Sequence, residues 1–196
     1  MYKPYVGLIK KWFPNAVIII DLFHIVQLIS RSLNKTRINV MKENKEDRNK
    51  FKKYWRLILK SRFDVDGGSW KKFRCFKNLM TEIDVVDYLL NKDEVLSNTY
   101  DVYQDLLYYL QKRDYVSFDK ILEQQNDNIS KQMKTSINSL KYFSEHIKNT
   151  LEYEYNNGVM ERNNNTCKLI KRISYGFRNF KNMKARILII TNVFRK

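Results

Sequence analysis

With 196 residues, five glycines and two prolines, the chain is long enough for one sizeable domain, or a core with an inserted module, and too short for several. Cys75 and Cys167 stand far apart and match no zinc spacing, which implies no disulfide framework and fits reduced thiols in a cytoplasmic protein. A net charge of +16 and a pI near 9.7 point to a polyanionic partner, because clustered cations release counterions when they neutralise phosphates.

The charge is unevenly spread. Residues 1–63 hold fifteen bases and four acids, residues 64–155 twelve and sixteen, and residues 156–196 ten and one. Ends that meet as one nucleic-acid-facing core, with the mildly acidic middle looped out, account for this pattern. Uneven solvated surface charge is the blander alternative.

Tyr5 to Phe13 reads as a short amphipathic helix, with Val6, Ile9 and Phe13 on one side and Pro14-Asn15 as its stop. The run AVIIID, residues 16–21, is β-branched and apolar and ends on an acid, the pattern of a strand buried on both faces. It is the one clear strand, and its sheet neighbours must come from outside this sequence. A spanning helix needs about 20 apolar residues, so this run is too short for a membrane anchor, and the N-terminus lacks the order of a signal peptide. From Phe23 to about Arg62, helical spacing of Val26, Ile29, Leu33, Phe51, Tyr54, Trp55 and Ile58 predicts two helices with a polar break at residues 43–47. The aromatic residues there read as core rather than base-stacking groups. Residues 64–69, DVDGGS, form the clearest loop. Further helices are predicted over 70–77, 83–90, 94–112, 115–125 and 129–153, with Ser117 and Ser130 as caps.

Asn156-Asn157-Gly158 supplies a turn into another helix, closed by Tyr175-Gly176 because glycine tolerates the left-handed conformation at a helix end. A last amphipathic helix runs over 179–194, with Phe180, Met183, Ile187, Ile190 and Phe194 at helical spacing. On the first of these two helices, Glu161, Asn165, Lys168 and Arg172 fall within about 40° of one direction, and Val159, Leu169, Ile170 and Ile173 lie opposite. Glu161, the lone acid among ten bases, therefore stands on the polar ridge of an amphipathic helix. Such a carboxylate is either one half of a surface charge pair, worth a few tenths of a kcal/mol, or a metal ligand at a polyanion-binding surface.

The C-terminal pattern reads N-G-x-x-E-x-x-N-N, then K-x-I-K-R-x-x-Y-G-F-R-N-F, then R-I-L. It occupies Asn157, Gly158, Glu161, Asn164, Asn165, Lys168, Ile170, Lys171, Arg172 and Tyr175 to Phe180, ending at Arg186 to Leu188. It resembles the C-terminal signature of bacterial DDE transposases of the ISL-three insertion-sequence family. Y-x-x-L-I-K-x-x-F-P-N-A-x-I-I-I-D-x-F-H-I-V-Q from Tyr5 to Gln27, L-N-K-T-R-I-x-V-M from Leu33 to Met41, and Y-W-x-L-x-L-K from Tyr54 to Lys60 resemble the same family. The resemblance covers most of the chain, with a looser helical middle.

The resemblance implies a mostly α chain holding the C-terminal part of an RNase-H-like α/β core, residues 1–62 and 156–196, with an all-helical insertion over 63–155. In such nucleases two aspartates and one glutamate hold two Mg²⁺ ions that activate the attacking oxygen and stabilise the leaving one, and hard oxygen ligands suit Mg²⁺. By position Glu161 is that glutamate. Lys168, Lys171, Arg172, Arg178, Lys181 and Arg186 would hold DNA phosphates, with His24, Asn164 and Asn165 in support. Asp21, at the end of the expected strand, is either the second metal ligand or a supporting acid. The first catalytic aspartate belongs to an earlier strand, and the second is expected just before Met1, so the chain reads as a fragment inactive alone. Arg162, where the family carries a small residue, adds to that expectation. The implied activity is Mg²⁺-dependent DNA cleavage and strand transfer on double-stranded insertion-sequence ends. The alternative is a non-catalytic fragment that binds DNA, associates with itself or associates with a full-length transposase.

Overall fold

The computed structural model describes residues 3–124, 127–155 and 158–191. The chain divides into two compact units, residues 1–154 and 155–196. The first contains α1 (Lys3–Trp12), α2 (Leu22–Glu43), α3 (Arg48–Lys53), α4 (Trp55–Leu59), a hairpin of β1 (Lys71–Lys72) and β2 (Leu79–Met80), α5 (Glu82–Leu90), α6 (Glu94–Lys112), α7 (Tyr115–Glu123), α8 (Lys131–Tyr142) and α9 (Ser144–Glu152). The expectation of a mostly α chain holds. Among the described residues no helix is long and apolar enough to cross a membrane.

The 22-residue α2 is the axis of this unit. Ile25, Ile29, Leu33 and Val40, four, four and seven residues apart, form its buried stripe, and the helix packs on α6 and α8. Small polar residues let the helices approach. Ser32 Oγ lies 2.6 Å from Ser136 Oγ, and Thr36 Oγ1 lies 2.7 Å from Ser130 Oγ. Each satisfied buried hydroxyl contributes about 1 kcal/mol net, whereas an orphaned one costs more. The L-N-K-T-R segment is thus a packing element. Leu33 is buried, Thr36 joins the seam, and Arg37 donates from Nε to Asn34 Oδ1 (2.9 Å) and from Nη1 to the Phe51 carbonyl (2.8 Å). Burial lowers the Arg37 pKa from its ordinary value.

Helix starts follow side-chain chemistry. Thr81 and Asp84 form a reciprocal capping box on α5, and Asp93 accepts from the Leu96 amide (2.6 Å) at the start of α6. Ser130 caps α8 as expected, accepting from Met133 N. Ser117 does not cap α7; it donates its amide to Asp114, which is the cap.

The structure corrects several expectations. Residues 16–21 form no strand: among the described residues they have no ladder partner, and side chains of α9 satisfy their backbone instead. The Ile20 amide donates to Thr150 Oγ1, Thr150 Oγ1 lies 2.8 Å from the Ile20 carbonyl, and Asn149 Nδ2 donates to the Ile18 carbonyl. Residues 70–77 are not helical. Asp66 Oδ1 accepts from the Gly68 and Ser69 amides, the Tyr54 hydroxyl donates to the Arg74 carbonyl, and Cys75 is left-handed at φ 79°. A helix cannot pass through that conformation. The helix expected over 129–153 breaks at Phe143, which turns into the core at φ −106° and ψ 15°. The second helix expected after the polar break is interrupted at Tyr54, giving α3 and α4. Trp55 is exposed, with the Arg56 guanidinium 5.4 Å from its ring centroid, while Phe51, Tyr54 and Ile58 are buried.

The second unit contains α10 (Gly158–Ile173) and α11 (Phe180–Ile190), which pack on each other. The Gly176 amide bonds back to the Lys171 carbonyl and the Tyr175 amide to the Arg172 carbonyl, a Schellman closure in which Tyr175 (φ 51°) and Gly176 (φ 93°) both take positive φ. Asn179 then caps α11 through the Lys181 amide. Asn156, Asn157 and Phe194, the Gln125 end of α7 and the side chain of Val159 lie outside the described residues.

Candidate functional site

Glu161 lies in the first turn of α10, where exposed amides favour an anion. Its side chain is exposed, as are those of Asn164, Asn165, Lys168, Lys171 and Arg172 along the same helix. Among the described residues no ion pair involves any of them; all eight ion pairs fall within residues 10–152. The surface charge pair between Glu161 and Lys168 is therefore not formed. Arg162 is also exposed, and its carbonyl accepts from Thr166 Oγ1 (3.0 Å).

Arg178, in the connection, and Lys181 and Arg186, on α11, are likewise exposed. The inward side of α10 differs from the one expected: Ile170 is buried and Cys167 half-buried, but Leu169 and Ile173 are each 55% exposed. The buried direction is rotated toward Cys167, Ile170 and Ser174, spaced three and four residues apart.

Asp21 and His24 belong to the other unit. The Asp21 carboxylate caps α2, accepting from the Phe23 amide at 2.8 Å, and its carbonyl accepts from the His24 amide at 3.0 Å. His24 is exposed and meets the Phe23 ring edge-on. Capping is sufficient physical reason for an acid at position 21. Among the described residues no three His, Cys, Asp or Glu side chains stand together as a metal-holding group.

The strongest polar cluster is one that sequence reading missed. Asp47, buried at the end of the α2–α3 connection, receives Lys50 Nζ at 2.6 Å, Lys92 Nζ at 3.0 Å and the Tyr88 hydroxyl at 3.0 Å. Burial alone would raise its pKa, but hydrogen bonds from Lys50, Lys92 and Tyr88 outweigh it and hold the carboxyl below its usual range. Lys50 and Lys92 also sit 4.4 Å from the centroid of the Tyr88 ring. Only Lys50 was within sequence reach, at i+3; Tyr88 and Lys92 arrive from α5 and its C-terminal end. The cluster braces the α2–α3 connection against α5.

Comparison with known proteins gives the site its context. The family of ISL3-type DDE transposases, described as transposases, matches over residues 1–187. An "ATP-dependent protease" of Lactococcus lactis subsp. lactis is 43% identical over 110 residues, covering 56% of this chain and 35% of that protein. The transposase for insertion sequence element IS1001 of Bordetella parapertussis is 27% identical over 172 residues, covering 85% of this chain and 40% of that protein. The chain thus spans well under half the length of these curated relatives. No solved structure matches. With the family pattern running through all but the last residues, the chain belongs to the ISL3 family of DDE transposases.

Proposed function

We propose that the chain is a DNA-handling part of an insertion-sequence transposase, in which Glu161 is one carboxylate of a DDE metal centre. In this reading the exposed Lys168, Lys171, Arg172, Arg178, Lys181 and Arg186 lie along duplex phosphates, with Asn164, Asn165 and His24 in support. Residues 1–62 and 156–196 correspond to parts of an RNase-H-like core and residues 63–155 to a helical insertion. The observation that carries the reading is the family match across the motif holding Glu161, and the absence of an ion-pair partner for that carboxylate among the described residues supports it.

Mg²⁺ takes hard oxygen ligands, commonly one or two carboxylates together with waters and phosphates, and two-metal chemistry needs carboxylates to hold both ions. Glu161 supplies one donor, Asp21 is engaged as a helix cap, and no metal-holding group stands among the described residues. Among the described residues the donors do not make a complete centre. The second reading is a non-catalytic DNA-binding chain that acts with itself or with a complete transposase. The protease named among the relatives finds no echo in a nucleotide loop here: no two of the five glycines stand five apart, as G-x-x-x-x-G-K requires.

Duplex binding measured against salt, with Mg²⁺-dependent nicking measured on the same protein, tests both readings. The chain is expected to bind duplex DNA at low salt, to lose affinity steeply as salt rises, and to show no nicking. Nicking that Glu161→Gln abolishes overturns the non-catalytic reading. Failure to bind duplex at low salt overturns both.

A further inference from the structure

Beyond α10 and α11, unit 1 carries a cationic cleft that no part of the expected site includes. Its walls are Asn49, Lys52 and Lys53 from α3 and Arg74 and Cys75 from the hairpin reversal, enclosing about 440 Å³. Three cations line it and no carboxylate does.

The cleft is built rather than incidental. The Tyr54 hydroxyl donates to the Arg74 carbonyl, and the Tyr54 ring packs against Phe73 (5.5 Å between centroids) and Phe76 (5.8 Å), so the reversal is clamped to the α3–α4 junction. Phe76 in turn meets Tyr88 edge-on at 5.2 Å. Cys75 adopts φ 79°, which a non-glycine residue takes only where its surroundings enforce it.

Charge pairing distinguishes this cleft from its neighbours. Lys50 and Lys92 pair with Asp47, Lys60 with Glu82, Arg62 with Asp101 and Lys71 with Asp66. Among the described residues Lys52, Lys53 and Arg74 have no ion pair. Asp47, the acid nearest Lys52 and Lys53 in sequence, is already engaged by Lys50 and Lys92. Lys72 and Lys77, on the same hairpin, are also exposed. Packing has thus placed three unneutralised cations in one concavity, Lys52 and Lys53 from the basic stretch 1–63 and Arg74 from the acidic middle.

We infer that this cleft is a second DNA-contacting surface, which takes the phosphates of a duplex separately from the cations of α10 and α11. The inference rests on DNA as the partner of the chain. Lys52 and Lys53 act as point charges, Arg74 offers a planar fork to phosphate oxygens, and the Asn49 amide adds a neutral donor. The contacts carry no base readout, so binding through them is insensitive to sequence.

Fluorescence anisotropy of a labelled duplex, titrated with the intact chain over a series of salt concentrations, tests it. Each phosphate neutralised contributes about 0.9 to the slope of log affinity against log salt. The triple variant Lys52→Gln, Lys53→Gln, Arg74→Gln is expected to bind more weakly and to reduce that slope by about 2 to 3. The charge-conserving Lys52→Arg, Lys53→Arg, Arg74→Lys variant is expected to keep it. The double variant Lys52→Gln, Lys53→Gln leaves the hairpin untouched and is expected to lose about 2 of the slope, so misfolding of the reversal cannot mimic the result. Unchanged slopes in the triple and the double, with loss in Lys171→Gln, Arg172→Gln, Arg178→Gln, overturn this inference and leave the functional reading standing. Loss in the cleft variants alone upholds it and removes the phosphate role of α10. No duplex binding by the unaltered chain overturns both, and tighter binding to single-stranded RNA than to duplex overturns the choice of partner.

Discussion

Residues 1–154 hold all eight ion pairs found among the described residues, and every buried hydrophobic side chain there except Ile170 belongs to them. Residues 158–191 present the opposite balance, with unpaired cations on α10 and α11 and with Leu169, Ile173, Phe180 and Ile189 at the surface. The first unit closes on itself because its helices supply each other with partners. The second has a sequence of equal apolar content in its helices but too few elements to cover both sides of them. Local amphipathicity sets which residues share a face, and the number of surrounding elements sets whether that face is buried.

The largest expected effect separates the two units directly. Leu33→Ala, at a fully buried position of α2, is expected to cost about 2–5 kcal/mol and to lower the main thermal transition. Ile170→Ala removes similar bulk from α10 and is expected to leave that transition in place. An equal shift from both variants, measured by calorimetry, breaks the division into units.

Next in size is the buried charge cluster. Asp47→Asn at neutral pH is expected to destabilise the chain by on the order of 3 kcal/mol, since two lysines lose their shared partner. The folded Asp47 pKa lies below its unfolded value. Its contribution is therefore complete above about pH 4, where an unfolded aspartate is ionised, and disappears as pH falls through the folded value. Urea unfolding of both proteins from pH 7 downward checks this; a difference that grows toward acid contradicts it.

Ser130→Ala removes the α8 cap and the neighbour of Thr36 Oγ1 together. A loss of about 1–2 kcal/mol is expected from the same unfolding measurement, and a neutral result would mean that the seam against α2 contributes nothing. The smallest effect belongs to the second unit. With no ion-pair partner among the described residues, Glu161→Gln is expected to change stability by less than about 0.5 kcal/mol. A larger destabilisation would return Glu161 to a structural role and weaken its assignment as a metal carboxylate.

Much of the helical organisation was legible in the sequence. The 94–112 helix is legible at its observed ends because apolar residues recur through it at helical spacing; its Asp93 cap came to light only in the structure. The Glu161 ridge was legible for the same reason of periodicity. The hairpin was not, since Trp70, Phe73 and Phe76 also fit a helix, and only the distant Tyr54 hydroxyl and ring decide otherwise. Nor was the fate of AVIIID: its composition suits a strand, but Thr150 and Asn149 of α9 take its backbone groups.

What the sequence determined by itself was local: helix periodicity, the Ser130 cap and the Tyr175-Gly176 closure, the basic ends, and the motif in which Glu161 stands. Tertiary structure alone decided which charges remain free. Lys50, Lys52 and Lys53 are near neighbours on one short helix, yet Lys50 turns to Asp47 while the other two line an acid-free cleft with Arg74. The physical reason is that neutralisation depends on a partner within a few ångströms, and for this chain those partners come from forty residues away as often as from the next turn.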